Sequence, residues 1–129
     1  MILVDTSIII PWLDPSHAEH GRCDAVLDKR LDIEFLAISS VTYGELAAGG
    51  RTQEAVEEDL HRFRRIDVSF AAMWRAGVAF RRYRGGDATK PVLPDFIIRA
   101  QASVLGHRHL TNDRRRLSAI PEVEFLFPD

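Results

Sequence analysis

Met1-Ile2-Leu3-Val4-Asp5-Thr6-Ser7 opens the chain, four apolar residues running without interruption into three polar ones. An apolar run this short, with no alternation, reads as a strand buried on both faces, and such strands belong to parallel sheets covered by helices. Asp5 then stands where the strand ends. In open parallel sheets ligands gather at the carboxyl ends of the strands, so Asp5 is the first candidate site residue.

Working outward, Ser7 is expected to cap a short helix through Leu13, limited by Pro11, and a second helix is expected from Ser16 to about Arg30. Ile33 to Ile38 reads as the second strand. Ser39 or Ser40 caps a helix carrying Val41, Glu45 and Leu46, which Gly49-Gly50 ends through the left-handed conformation open to glycine. A helix from Thr52 to about Arg64 would begin acidic, with Glu54, Glu57 and Glu58, and end basic, with Arg62, Arg64 and Arg65, matching the helix dipole. Ile66 to Val68 makes a brief strand.

Ser69 to Arg84 carries Phe70, Met73, Trp74, Val78 and Phe80 at helical spacing, which makes them the expected core face of a helix stopped by Gly85-Gly86. A polar loop with Lys90, Pro91 and Pro94 leads to a helix opened by Asp95 and ended at Gly106. His107 to Thr111 is a strand, a short helix follows Asp113, and Val123 to Phe127 is the last strand. Strands alternating with helices over short connections predict an α/β fold: one domain over residues 1–129, with a parallel central sheet covered on both faces and joined by right-handed crossovers.

The chain has 129 residues, enough for one core that buries roughly 68% of the unfolded surface. At 46% apolar and 28% charged it is an ordinary globular composition, which speaks against disorder and fibrous repeats. Apolar runs fall well short of the roughly 18 residues of a membrane span, and the expected location is cytoplasmic. Cys23 is the one cysteine, so neither an internal disulfide nor a four-thiolate zinc site is possible. The net charge of −2 hides a division. Residues 60–116 hold 13 Lys or Arg against 4 Asp or Glu, or +9, and the rest hold 4 against 15, or −11. Of the 17 basic residues 15 are Arg, whose planar fork suits bidentate phosphate contact. The basic half favours nucleic acid, although solvated helix faces account for the same arginines.

Asp5, Glu45, Asp95 and Asp113 are the acids that chemistry would use. Each has a plain reading: a loop carboxylate, a solvated helix residue, a first-turn acid, a helix cap. Capping does not explain why acids follow two apolar runs, at Val4 and after Leu110-Thr111-Asn112, in strands expected to be central neighbours. Carboxylates gathered from such distances repel by roughly 4 kcal/mol per close pair at an effective dielectric near 20, so a cation is needed among them. Hard oxygen ligands suit Mg²⁺ or Mn²⁺. Such an ion acts on phosphodiesters without a covalent intermediate. Thr6, Ser7, Thr111 and Asn112 are placed to orient the carboxylates. Arg81, Arg82, Arg84, Arg114, Arg115 and Arg116 are candidates to hold a nucleic-acid backbone. A partner's arginine entering the acidic pocket would relieve the carboxylates and exclude the ion, with Trp12 and the helices around it as a receiving surface.

Val4-Asp5-Thr6-Ser7, Thr42-Tyr43-Gly44-Glu45-Leu46, Leu93-Pro94-Asp95-Phe96-Ile97 and Leu110-Thr111-Asn112-Asp113, in that order, resemble the PIN-domain ribonucleases. Size and element order are most similar to the VapC-type toxins of toxin-antitoxin pairs. The resemblance spans essentially the whole chain. It implies a three-layer α/β/α fold, cleavage of RNA with Mg²⁺ or Mn²⁺, and homodimers held inactive by a cognate antitoxin. It maps Asp5, Glu45, Asp95 and Asp113 as the acidic site, with Thr6 and Thr111 as helpers, and leaves open the division of labour between Asn112 and Asp113. A housekeeping RNA-processing nuclease and a catalytically silent RNA-binding module are the alternatives.

Other signals are weaker. Cys23 lies mid-helix between Arg22 and Asp24 and reads as a structural or surface thiol. His17, His20 and Cys23 turn off a common helix face. His107 and His109 read as a basic strand edge. A phospho-acceptor domain would need a lysine near the last strand, and the only lysines are Lys29 and Lys90.

Overall fold

The computed structural model describes residues 1–83 and 92–128. Arg84, the Gly85-Gly86 stop and the loop residues Lys90 and Pro91 lie outside the described residues. Five strands form one sheet in the order β3-β2-β1-β4-β5: β1 (Ile2–Val4), β2 (Leu36–Ser39), β3 (Arg64–Ile66), β4 (Arg108–Leu110) and β5 (Phe125–Leu126). Every pairing is parallel, with Leu3 opposite Ala37 on one side and His109 on the other. The helices are α1 (Thr6–Leu13), α2 (His20–Leu31), α3 (Ser40–Ala48), α4 (Gln53–Asp59), α5 (Phe70–Tyr83) and α6 (Pro94–Leu105), with a short 3₁₀ turn at Leu117–Ala119.

Strand alternation divides the core in two. Ile2, Val4, Leu36, Ile38 and Leu110 pack with Ile8, Ile9, Cys23, Leu27, Leu46 and Val56 from α1 to α4. Leu3 and Ala37 pack with Ala72, Ala76, Ala79 and Phe80 of α5 and Phe96, Ile98, Ala100 and Ala102 of α6. The result is the three-layer α/β/α arrangement, with β1 wholly buried because both its faces are covered. Sequence order reverses direction across the sheet at β1, between β2 and β4. The crevice at the carboxyl ends of β1 and β4 is therefore the switch point where such sheets bind ligands.

Several expectations are corrected. Asp5 caps α1, accepting from the Ser7 amide, in place of Ser7. Ser16 is occupied in a turn, its amide and hydroxyl both donating to Asp14, so α2 begins only at His20. The second strand starts three residues late, at Leu36. α4 ends at Asp59, because Arg64, Arg65 and Ile66 extend along Ala37, Ile38 and Ser39 as β3. Arg62, Arg64 and Arg65 are thus not the basic end of a helix. β4, expected from His107 to Thr111, is the core Arg108–Leu110, and β5 is only Phe125–Leu126. Gly50, at φ 91°, and Gly106, at φ 67°, take the left-handed conformation beyond α3 and α6 as expected.

The largest correction concerns α5. Its buried side is Ala72, Ala76, Ala79 and Phe80, while Phe70 is 97% exposed, Trp74 78% exposed, and Met73 and Val78 lie on the surface. Small residues let α5 approach α6 closely, and the edge-to-face pair Phe80–Phe96, 5.2 Å between centroids, closes the contact. Phe80 is in the core as expected, but Phe70, Met73, Trp74 and Val78 form an apolar surface instead. His109 is corrected in the opposite sense. β4 lies between β1 and β5, so His109 is fully buried and is not on a strand edge.

Candidate active site

The Asp5 amide donates to Leu110 O at 2.8 Å, tying the end of β1 to the end of β4. Its carboxylate is almost fully buried. Oδ2 accepts from the Ser7 hydroxyl at 2.5 Å, the Ser7 amide at 3.2 Å and the Thr111 hydroxyl at 3.2 Å. Oδ1 stands 3.4 Å from His109 Nε2. Burial would raise the Asp5 pKa, but His109 and the Ser7 donors outweigh it and hold the group at about 2. Asp5 is therefore an anion whose orientation is set through Oδ2, with Oδ1 facing His109.

Ser7 does more than orient Asp5. Its hydroxyl accepts from the Asn112 amide at 2.9 Å, and that of Thr111 accepts from the Asp113 amide at 3.1 Å. Ser7 and Thr111 thus lock the start of α1 to the segment after β4. Asn112 contributes through its backbone. The Thr6 hydroxyl, 2.9 Å from that of Thr42, donates to Glu45 Oε1 at 2.8 Å, so α3 presents Glu45 towards the start of α1. Burial raises the Glu45 pKa; the Thr6 bond opposes this, and the negative charges of Asp5 and Asp95 add to the rise. Three acids far apart in sequence therefore share one electrostatic field.

Asp95 stands in the first turn of α6, behind Pro94, and its Oδ2 is 2.7 Å from Arg116 Nη2. Asp113 accepts from the amide, Nε and Nη2 of Arg115 at 2.9, 2.9 and 3.0 Å. Those Arg115 bonds hold the Asp113 pKa low against the opposing effect of burial. Among the described residues no three His, Cys, Asp or Glu side chains stand at metal-ligating separation. The acids converge, yet two of them are turned onto arginines. Of the six arginines expected to hold RNA, Arg115 and Arg116 are thus engaged by the site's own acids. Arg114 lies 3.8 Å over the Phe127 ring, and Arg81 and Arg82 are exposed on α5.

Two further residues belong here, His109, expected only as part of a basic strand edge, and Arg99, which sequence reading passed over. His109 has no hydrogen bond on either ring nitrogen and faces Asp5. Arg99, one turn after Asp95 on α6, is 1% exposed. Its Nη1 donates to Arg115 O at 2.9 Å and Arg116 O at 3.1 Å, and its Nη2 to Asp113 O at 3.1 Å. An arginine inside an otherwise apolar helix turn, Ile97-Ile98-Arg99-Ala100, was the available signal, since such a charge is buried only with partners. The donor set fits a hard divalent cation: it is all carboxylate and hydroxyl oxygen, and Glu45 already feels the repulsion of Asp5 and Asp95. A cation, Arg116, stands at Asp95.

The sequence model of the PIN domain family matches residues 2–123. The chain belongs to the PIN domain family. A search of curated proteins found no match to this PIN domain. Among solved structures it is similar to a chain of the VapBC2 complex from Rickettsia felis bound to a promoter DNA fragment, with TM-score 0.74, 19% identity and 98% of each chain covered. A toxin-antitoxin complex from Klebsiella pneumoniae gives TM-score 0.72 and 23% identity, covering 100% of this chain and 98% of that one. VapC20 of Mycobacterium tuberculosis, a toxin that cleaves the sarcin-ricin loop, gives TM-score 0.65 and 18% identity, covering 96% of this PIN domain and 99% of VapC20. At these identities the likeness concerns the fold.

Proposed function

We propose that this PIN domain is an endoribonuclease dependent on Mg²⁺ or Mn²⁺ and the toxin of a toxin-antitoxin pair. The observation that carries the reading is the placement of Asp5 at the end of β1 against β4, with Glu45 of α3 tied to the start of α1 through Thr6, at the switch point of the sheet. Asp5, Glu45 and Asp95 would hold the principal ion, with Asp113 in support. A bound divalent ion supplies a water of lowered pKa and polarises the phosphodiester. Thr6 orients Glu45, Ser7 and Thr111 orient Asp5, and His109 supports the second Asp5 oxygen. Arg81 and Arg82, exposed on α5, remain candidates to hold the RNA backbone.

Likeness to toxin-antitoxin complexes supports an antitoxin partner. The groove lined by Trp12, Leu13, Leu31 and Phe63, with Glu58, Asp59, His61 and Arg62 around it, suits an apolar helix. The apolar surface of α5, with Phe70 and Trp74, suits a second copy of the chain. Among the described residues no helix is long and apolar enough to cross a membrane, and a cytoplasmic location accords with an RNA substrate.

Asp5→Asn keeps the cap geometry and removes the charge, so it should abolish RNA cleavage in Mg²⁺ while leaving the fold intact. Cleavage at the wild-type rate would overturn the assignment. Growth arrest on expression, relieved by the same substitution, separates a toxin from a housekeeping nuclease. The engagement of Asp95 and Asp113 by arginines favours a second reading, a catalytically silent RNA-binding module. RNA binding without cleavage in either Mg²⁺ or Mn²⁺ would select it.

A further inference from the structure

We infer that Arg116 is a resident counter-cation of the acidic site, latched onto Asp95 and displaced from it when a divalent ion binds; this rests on the metal-site reading above. Sequence reasoning anticipated an arginine from a partner in this pocket. The chain places one of its own there.

Four observations converge on Arg116. Its Nη2 lies 2.7 Å from Asp95 Oδ2 and 3.9 Å from Asp113 Oδ2, so one guanidinium faces two of the four site acids. The side chain is only 18% exposed, with its guanidinium 5.2 Å from the Tyr83 ring centroid and 6.0 Å from that of Phe96. Its Nε is buried without a hydrogen bond, which an arginine free to extend into water would avoid. Among the described residues Arg116 is also the one non-glycine residue at positive φ, 57°. That backbone is uncommon for a long side chain and persists only where its surroundings enforce it.

Arg99 is what enforces it. From inside α6 it grips the carbonyls of Asp113, Arg115 and Arg116. Arg99 and Asp95 are one helical turn apart on α6, so the helix that carries the acid also carries the clamp on the segment that delivers its counter-ion. A surface arginine recruited only for RNA would need neither the clamp nor the aromatic walls.

A guanidinium and a metal ion cannot both neutralise the same carboxylate oxygens. The apparent affinity of the site for a divalent ion is therefore its intrinsic affinity multiplied by the fraction of molecules in which Arg116 has left Asp95. The acids stay compensated while no ion is bound, and the ion, on binding, sets Arg116 free at the mouth of the site.

The test is calorimetric titration of the full chain with Mn²⁺ alone, for wild type, Arg116→Gln, Arg116→Lys and Asp95→Asn. Arg116→Gln should bind Mn²⁺ tighter by about fivefold or more. Arg116→Lys, which keeps the charge but loses the fork and the stacking, should lie between it and wild type. Asp95→Asn should lose most of the binding. Unchanged or weaker binding by Arg116→Gln overturns the latch, whereas undiminished binding by Asp95→Asn overturns the metal-site reading itself. Should Arg116→Gln fail to fold, the wild type decides. The Arg116 guanidinium ¹⁵N resonance, assigned by its absence from Arg116→Lys, should move on Mg²⁺ addition. A protein that binds Mn²⁺ while that resonance stays put refutes the proposal.

Discussion

Arg99→Met is the most severe stability test of the site's framework. The guanidinium makes three hydrogen bonds to carbonyls that face a nearly sealed interior. Bonds to a charged donor contribute at least about 1.5 kcal/mol each, so roughly 4.5 kcal/mol of interaction is removed. Eliminating a buried charge whose Nε has no hydrogen bond returns about 1.5 kcal/mol. Methionine keeps much of the side-chain stem and adds little cavity cost. The net expectation is destabilisation by about 3 kcal/mol, or a melting temperature lower by roughly 10 °C for a domain of this size. Urea unfolding followed by circular dichroism measures it directly. A midpoint that moves by less than the equivalent of about 0.5 kcal/mol would show that the carbonyls of residues 113, 115 and 116 find other donors, and the clamp argument would fail.

Further outcomes follow from other parts of the molecule. Glu34 bonds Arg30 at 2.7 Å and also pairs with Arg108; burial opposes, but the two arginines hold its pKa below the usual carboxylate range. A depressed carboxylate stabilises above its unfolded pKa and loses that contribution as pH falls through the folded one. Glu34→Gln should therefore cost about 1 kcal/mol at pH 7 and progressively less in urea melts below about pH 4, and a penalty independent of pH would contradict the pairing. Trp74→Glu should leave the unfolding midpoint within about 0.5 kcal/mol of wild type, because the side chain is already in water. It should convert any dimer to monomer by sedimentation, and an intact dimer would remove α5 as the interface. Exchanging Arg81 and Arg82 for Gln should weaken RNA binding and flatten its salt dependence by nearly one unit of slope for each phosphate that is no longer neutralised. An unaltered slope would take those residues out of the RNA path.

The alternation of strands and helices and the parallel sheet were legible because each rests on local periodicity and on the polar residues that stop it. Asp5 stood out for the same reason, an acid directly behind a short apolar run marking a strand end, and Asp113, three residues past Leu110, follows the parallel neighbour of that strand. Misreadings arose where local signals were equal or conflicting. The segment 60–66 continues a helical charge pattern, but β2 takes Arg64 to Ile66 as an edge strand because its own backbone groups need partners. In α5 the bulky stripe outweighs the alanine stripe on any hydrophobicity scale. Even so, the helix turned its alanines inward, because the space against α6 admits only small side chains.

What the sequence alone determined is the class of fold and the chemical character of the candidate site: carboxylates behind strands and on helices, with hydroxyls within two residues of Asp5 and Asp113. Tertiary structure alone decided who neutralises whom. Arg116 meets Asp95 across 21 positions, His109 meets Asp5 from the other strand, and Arg99 grips a segment 14 to 17 residues on. Such pairings depend on which helix face packs inward and on the register of neighbouring strands. Both are settled by the competition of all apolar surfaces for one core, and no local stretch of chain carries that information.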